Sequence, residues 1–179
     1  MIQPRFLGTE RDGVILKRLT LDDAPVLFDT IDANREHLSQ YGEPTSRNNP
    51  TLDYVTDSIV APDPPDALQM GIWDRDEFVG VINATPGPNN IATIGYWVAE
   101  ENQKNGYATI ATRSMAEFAR GEFRGVQAQV APENNRSKRV LARSGFMFLF
   151  PMHTSQGIIE LFHFIGVPAN LDSSLKSTQ

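Results

Sequence analysis

Cysteine is absent from these 179 residues, which excludes a disulfide framework, a thiolate metal site and a nucleophilic cysteine. A cytoplasmic protein is the expectation that follows. Long apolar runs are missing as well: nothing approaches the roughly 20 residues that cross a bilayer, and Met1 to Asp12 lacks the apolar centre of a signal peptide. The chain is therefore expected to be soluble, with no membrane partner. Positive charge is in the minority, 16 Lys and Arg against 22 Asp and Glu, and the formal charge of -6 speaks against a nucleic-acid binder that relies on a basic face. What is present fits one domain, long enough to bury its own core.

The charges are segregated. From Thr20 to Asp66 there are ten acidic residues against Arg35 and Arg47, whereas from Glu101 to Gly145 eight basic residues face four acidic ones. Solvated helix faces explain such runs in isolation. The alternative is a division of labour, with the basic half facing an anionic cofactor and the acidic half framing a cationic substrate.

The hydrophobic pattern divides the chain into short alternating elements. Val14 to Leu19 reads as a strand, and Thr20 with Asp23 as a capping-box-like start for a helix through Ala24, Leu27, Phe28 and Ile31. Arg35 to Tyr41 reads as a short helix broken by Gly42 and Pro44, and Leu52 to Val60 as another. Pro62 to Pro65 forms a stiff loop. Leu68 to Trp73, Phe78 to Thr85 and Ile91 to Val98 are strand-like, joined by the turns Asp74 to Glu77 and Pro86 to Asn90. A helix is expected from Gly106 to Glu122, a strand at Val126 to Val130, a short helix ending at Gly145, and strands at Phe146 to Met152 and Ile158 to Val167. The architecture predicted is α/β of the α+β kind: a mixed, mostly antiparallel central sheet with helices on both faces. Residues 1–13 are an N-terminal extension, 14–167 the domain, and 168–179 a polar tail expected to fray.

Two stretches carry chemistry. Gln103, Lys104, Asn105, Gly106, Tyr107, Ala108 and Thr109 lie between a strand and a helix, where Gly106 and Ala108 let backbone approach a ligand and the first helical amides have no partner within the helix. Free amides and the positive helix end favour a pyrophosphate. Downstream, Asn134 to Phe146 supplies Asn134, Ser137, Arg139, Val140, Leu141 and Gly145. The phosphate fingerprints of dinucleotide folds and of nucleoside triphosphatases are both missing.

Gln103-x-x-Gly106-x-Ala108, followed by Asn134-x-x-Ser137-x-Arg139-Val140-Leu141 and Gly145-Phe146, resembles the GNAT superfamily of acyl-CoA-dependent N-acyltransferases. With Ile94-Gly95-Tyr96-Trp97 before the loop and Asn34 to Leu38 in the second helix, the chain is most similar to the RimJ/RimL group of ribosomal-protein N-terminal acetyltransferases. The resemblance spans roughly Val14 to Val167. It implies acetyl-CoA as cosubstrate, held in a V-shaped opening between the strand ending at Val98 and the strand Val126 to Val130, with the pantetheine arm against backbone at Trp97 and Val98. It further implies that the loop 103–109 holds the pyrophosphate, that Asn134 touches the pantetheine, that Ser137 protonates the departing thiolate, and that related enzymes pair into dimers. The acceptor it implies is a primary amine: a protein N-terminus first, a small cationic amine such as a polyamine or aminoglycoside second. A non-catalytic acyl-CoA-binding module is the rival.

The residues themselves leave alternatives. Trp97 reads equally as a core aromatic, Ser137 as a backbone-satisfying hydroxyl at a helix start, and Asn134 as an N-cap. His37 and Tyr41 line the acceptor mouth or pack on Leu38. The glutamate that the family uses as base has no counterpart, since Phe146 to Gly157 contains none. Glu100 is the substitute favoured here, with His153, Glu160 and His163 behind it.

Overall fold

The computed structural model describes residues 3–42, 44–62, 64–155 and 157–166. Among these residues eight strands form one sheet: β1 (Phe6–Gly8), β2 (Val14–Arg18), β3 (Leu68–Asp74), β4 (Glu77–Gly87), β5 (Ile91–Val98), β6 (Gly125–Val130), β7 (Phe146–Thr154) and β8 (Gly157–Phe164). Their order is β1-β2-β3-β4-β5-β6-β8-β7, antiparallel throughout except for the parallel pair β5–β6. The mixed, mostly antiparallel sheet is as expected from the strand pattern. β1 is an addition: Phe6 to Gly8 pairs with Lys17 to Ile15 inside the stretch read as an extension, because three residues are too few to show a period. The expected tail, 168–179, lies outside the described residues, as does the last residue of the strand expected to reach Val167.

Among the described residues six helices accompany the sheet: α1 (Ala24–Ala33), α2 (Arg35–Ser39), α3 (Thr45–Asn48), α4 (Leu52–Val60), α5 (Tyr107–Glu122) and α6 (Asn135–Arg143). The start before α1 follows from Asp23, whose carboxylate accepts from the Thr20 amide and hydroxyl, both at 2.8 Å, and from Lys17 Nζ at 2.7 Å. The expected helix through Tyr41 stops earlier, at Ser39, because Gln40 turns to an extended ψ of 146° and Tyr41 follows with a left-handed φ of 58°. α3 went unseen in the sequence, being a single turn with no apolar period.

Two apolar clusters sit on the two faces of the sheet. On one, α5 buries Ala111, Met115, Ala116 and Ala119 against Met70, Ile82, Ile94 and Val126. Three of those four helix residues end at Cβ, which lets α5 lie close over the strands. On the other, Leu27, Ile31, Leu38 and Val55 from α1, α2 and α4 cover Phe78, Val81 and Trp97. Burying each large aliphatic side chain stabilises the fold by about 1.5–3 kcal/mol, so both helical layers are fixed to the sheet between them.

The parallel junction positions the site. β5 and β6 pair only from Ile91–Gly125 to Ile94–Ala128. Beyond that point β5 continues against β4 and β6 against β8, so the two strands part and a wedge opens between them.

Candidate active site

Ala99 donates to the Val79 carbonyl at 3.0 Å, and strand alternation therefore turns the amide and carbonyl groups of Tyr96 and Val98 away from β4 and into the wedge. Main-chain groups without a sheet partner suit a ligand arm that itself contains amides. The side chain of Trp97 points elsewhere: it is buried in the core, edge-on to Phe78 at 6.2 Å between ring centroids. Of the two readings of Trp97, the core aromatic describes its indole; its amide and carbonyl face Val81 on β4, so any ligand contact falls to its ring edge.

After β5 a short turn, Glu100–Asn102, leads into the loop. Gly106 takes φ +84°, a left-handed conformation that costs a side-chain-bearing residue about 1–2 kcal/mol, and α5 begins at the next residue. The helix expected from Gly106 thus starts at Tyr107, with the glycine as the hinge that aims it. Among the described residues, nothing accepts from the amides of Lys104 through Thr109, and no side chain caps α5. The loop is pinned from outside. Arg11 donates to the Asn105 carbonyl at 2.9 Å and lies 4.9 Å over the Tyr107 ring, while the Tyr107 hydroxyl donates to Asp74 at 2.7 Å. That hydrogen bond to a carboxylate, with burial and the Asp74 charge adding to it, raises the Tyr107 phenol above its usual range. Arg11 escaped the sequence reading because 94 residues separate it from its partner in the loop.

A cavity of about 380 Å³ runs along this loop, lined by Val98, Gln103, Lys104, Gly106, Ala108 and Thr109, and closed from the side of α6 by Arg136, Arg139 and Arg143. Among the described residues its charged lining is basic only, drawn from the half of the chain in which positive charge predominates. Gln103 ties its two sides together. Arg136 donates to Gln103 Oε1 at 3.0 Å, leaving Gln103 Nε2 to donate to His37 Nε2 at 2.6 Å. His37 therefore carries its proton on Nδ1, which is buried without a described partner. So His37 belongs to the loop's wall and has its basic nitrogen in use.

A second cavity, about 440 Å³, opens on the face of the sheet carried by α1 and α4. Both cavities are lined by Gln40, Tyr41, Tyr96, Trp97, Asn134 and Ser137, so they meet at those residues. Asn134 is the N-cap of α6, its Oδ1 accepting from the Ser137 amide at 3.0 Å. That frees the Ser137 hydroxyl from capping duty, and Oγ lies 2.8 Å from the Tyr96 hydroxyl. Burial drives the Tyr96 phenol far above its ordinary value, partly offset by this hydrogen bond, so Tyr96 is a neutral hydroxyl throughout the physiological range.

The other base candidates stand away from this junction. Glu100 is exposed and lines neither cavity, its amide accepted by Asn34 Oδ1. His153 is exposed, Glu160 is paired with Lys138 at 2.8 Å, and His163 packs beside Gly125. The segment 20–66 reaches the second cavity through Leu27, Ile31, Gln40, Thr45, Asn49 and Ser58, but no described carboxylate lines either cavity. The helical face on which each acidic residue falls was invisible without the packing.

A wedge between parallel strands, a glycine-hinged loop with free amides and a basic wall define an acyltransferase of the GNAT type. Residues 14–147 match the model of the Acetyltransferase (GNAT) domain, and the chain belongs to that family. Among solved structures it is similar to the microcin self-immunity acetyltransferase MccE in complex with acetyl-CoA and AMP, at 19% identity and TM-score 0.74, with 86% of this chain and 92% of that one covered. It is similar to RimL, a ribosomal alpha-N-protein acetyltransferase in complex with coenzyme A, at 19% identity and TM-score 0.74, covering 88% and 96%. RimJ of Mycobacterium smegmatis in complex with a CoA disulfide aligns at 23% identity and TM-score 0.72, covering 90% and 87%. No curated protein matches the sequence.

Proposed function

We propose that the chain is an acetyl-CoA-dependent N-acetyltransferase whose acceptor is a protein N-terminal amine. The observation that carries this is the meeting of the two cavities at Tyr96, Trp97, Asn134 and Ser137, one cavity basic and bounded by free amides, the other open to a second substrate. The residues present fit the cofactor. The amides of 104–109 and Lys104, Arg136, Arg139 and Arg143 suit a diphosphate, and the main chain of Tyr96 and Val98 suits an amide-bearing arm.

Bound there, acetyl-CoA supplies an activated acyl group on a good leaving thiol. As the amine attacks and the C–S bond breaks, Ser137 Oγ gives its proton to the departing sulfur and takes one from the ammonium formed on the attacking nitrogen, with the Tyr96 hydroxyl hydrogen-bonded to Oγ throughout. Main-chain N–H groups in the wedge offer the acyl oxygen hydrogen bonds that strengthen as charge develops on it. The chain as described brings no carboxylate or free imidazole to this junction, so the geometry suits an amine that is easily neutral. A chain-terminal amine of pKa ~8 costs about 1.4 kcal/mol to deprotonate at pH 7, a lysine amine of ~10.4 roughly 4.6 kcal/mol. Alignment of amine and thioester supplies most of the remaining acceleration.

The resemblance to RimL and RimJ, both of which align over most of this chain, supports the same acceptor class. A cytoplasmic location accords with the lack of cysteine. Mass spectrometry of peptides and small amines incubated with acetyl-CoA tests the reading. Acetylation of peptide N-termini is expected, and coenzyme A binding without thiol release across the panel would leave only a binding module.

A further inference from the structure

The floor of the acceptor-side cavity is a patch of side-chain amides. Strand alternation puts Gln69, Asn83 and Gly95 on the sheet face that also carries Val81 and Trp97, and the register sets Gln69 opposite Asn83 and Asn83 opposite Gly95. α1 covers the apolar end of this face and leaves the polar end as cavity floor, continued on β6 by Gln129. Asn83 is held in one orientation: its Oδ1 accepts from the Gly95 amide at 2.9 Å, which leaves Nδ2, donating to no described residue, as the free end. Gly95 makes that possible, because a Cβ there would sit 2.8 Å from Asn83 Oδ1. Around the floor stand Gln40, Tyr41, Asn49 and Ser58. No described residue lining this cavity carries a charge, whereas the neighbouring cofactor cavity holds four cationic side chains.

We infer that this amide floor selects peptide-type acceptors whose first side chain is uncharged and hydrogen-bonding, with Asn83 as a specificity-determining residue. The inference rests on the N-acetyltransferase reading above and names its substrate class. A second charge entering the cavity sheds water and meets no counter-charge, so polyamines, aminoglycosides and lysine-first peptides lose affinity. A purely apolar first residue leaves Asn83 Nδ2 unpaired, which a site built to hydrogen-bond rejects in turn. The exposed carboxylates of the acidic half act only through solvent, over a distance of about 8–10 Å at ordinary salt. They influence encounter and not the order of preference.

The test uses the full chain and five tripeptide amides that differ only in the first residue: serine, asparagine, leucine, lysine or aspartate, with spermidine added. Thiol release gives kcat/KM, and saturation-transfer NMR on the CoA-loaded protein gives binding without turnover. Serine and asparagine peptides are expected to exceed the others by about tenfold in both readouts. In Asn83→Leu the preference over leucine should vanish, and in Asn83→Asp the lysine peptide should gain. Asp57→Asn, which removes an exposed carboxylate of α4, should keep the wild-type order. Turnover of lysine peptide or spermidine equal to that of serine peptide overturns the inference while leaving the acetyltransferase standing, as does a changed order in Asp57→Asn. The expected binding order without any thiol release supports the floor as the selector and rejects the acetyltransferase.

Discussion

Tyr96 Oη lies 2.8 Å from Ser137 Oγ, a contact between mid-strand β5 and the first turn of α6 that spans the wedge where β5 and β6 part. It places two neutral hydroxyls in series at the point shared by both cavities. Ser137→Ala is expected to cut kcat by about a hundred- to ten-thousandfold with near-normal coenzyme A affinity, the range of a lost proton donor. Tyr96→Phe keeps the ring and removes only the relay, so kcat should fall while the KM for acetyl-CoA stays put. Steady-state kinetics with calorimetry reads both; unchanged kcat in Ser137→Ala removes that residue from the mechanism.

Because burial raises the Tyr96 phenol, no step in the pH–rate profile below pH 10 should belong to it. The linkage to stability has a definite sign. Below pH 10 both folded and unfolded tyrosine are protonated, whereas above it only the unfolded chain releases the proton, so folding loses stability as pH rises from about 10 toward the higher folded value. Tyr107, shifted the same way, contributes alongside. Urea melts between pH 9 and 11 should show Tyr96→Phe losing less stability across that window than the wild type.

Asp23 works at the other end of the scale. Burial acts to raise its carboxyl, but hydrogen bonds from Lys17 and Thr20 outweigh it and hold the group below its ordinary value. Its contribution is complete above about pH 4, the unfolded value, and is lost as pH falls through the folded one. Asp23→Asn is expected to cost about 1–3 kcal/mol at pH 7, since it loosens the start of α1 and leaves Lys17 unpaired, and to cost less near pH 3. Chemical denaturation at the two pH values checks it.

Gly106→Val should abolish coenzyme A binding. The φ of +84° disfavours any side chain, a β-branched one most, and a distorted loop withdraws the amides of 104–109 from a common target. Retained affinity in calorimetry would reject this placement of the diphosphate.

Coenzyme A affinity should also weaken by about tenfold between 0.05 and 0.5 M salt, as the Debye length contracts over the basic wall. Arg139→Ala should flatten that dependence. Arg11→Ala, which unpins the Asn105 carbonyl and uncovers Tyr107, should lower affinity with little change in salt slope.

Which parts of this were legible beforehand follows from the range of each interaction. The loop, β5, α5 and α6 are coded by neighbours three or four residues apart: Asn134 caps Ser137, Gly106 precedes an apolar period, and Gln103 and Ala108 flank it. Glu100 qualifies as a base by residue type alone, and the turn at 100–102 exposes it. The acidic half of the chain was expected to frame the acceptor, but charge counts carry no information on which helix face packs inward.

The sequence by itself therefore determined the family, the strand-loop-helix with its unpartnered amides and the basic character of its wall, because these depend on local backbone chemistry and composition. Only the tertiary structure decided that Tyr96 meets Ser137, that Arg11 pins the loop, and that Gln69, Asn83 and Gly95 form an uncharged floor. Those arrangements come from strand register and from helices packing across the sheet, and each joins residues whose separation along the chain leaves no periodic trace.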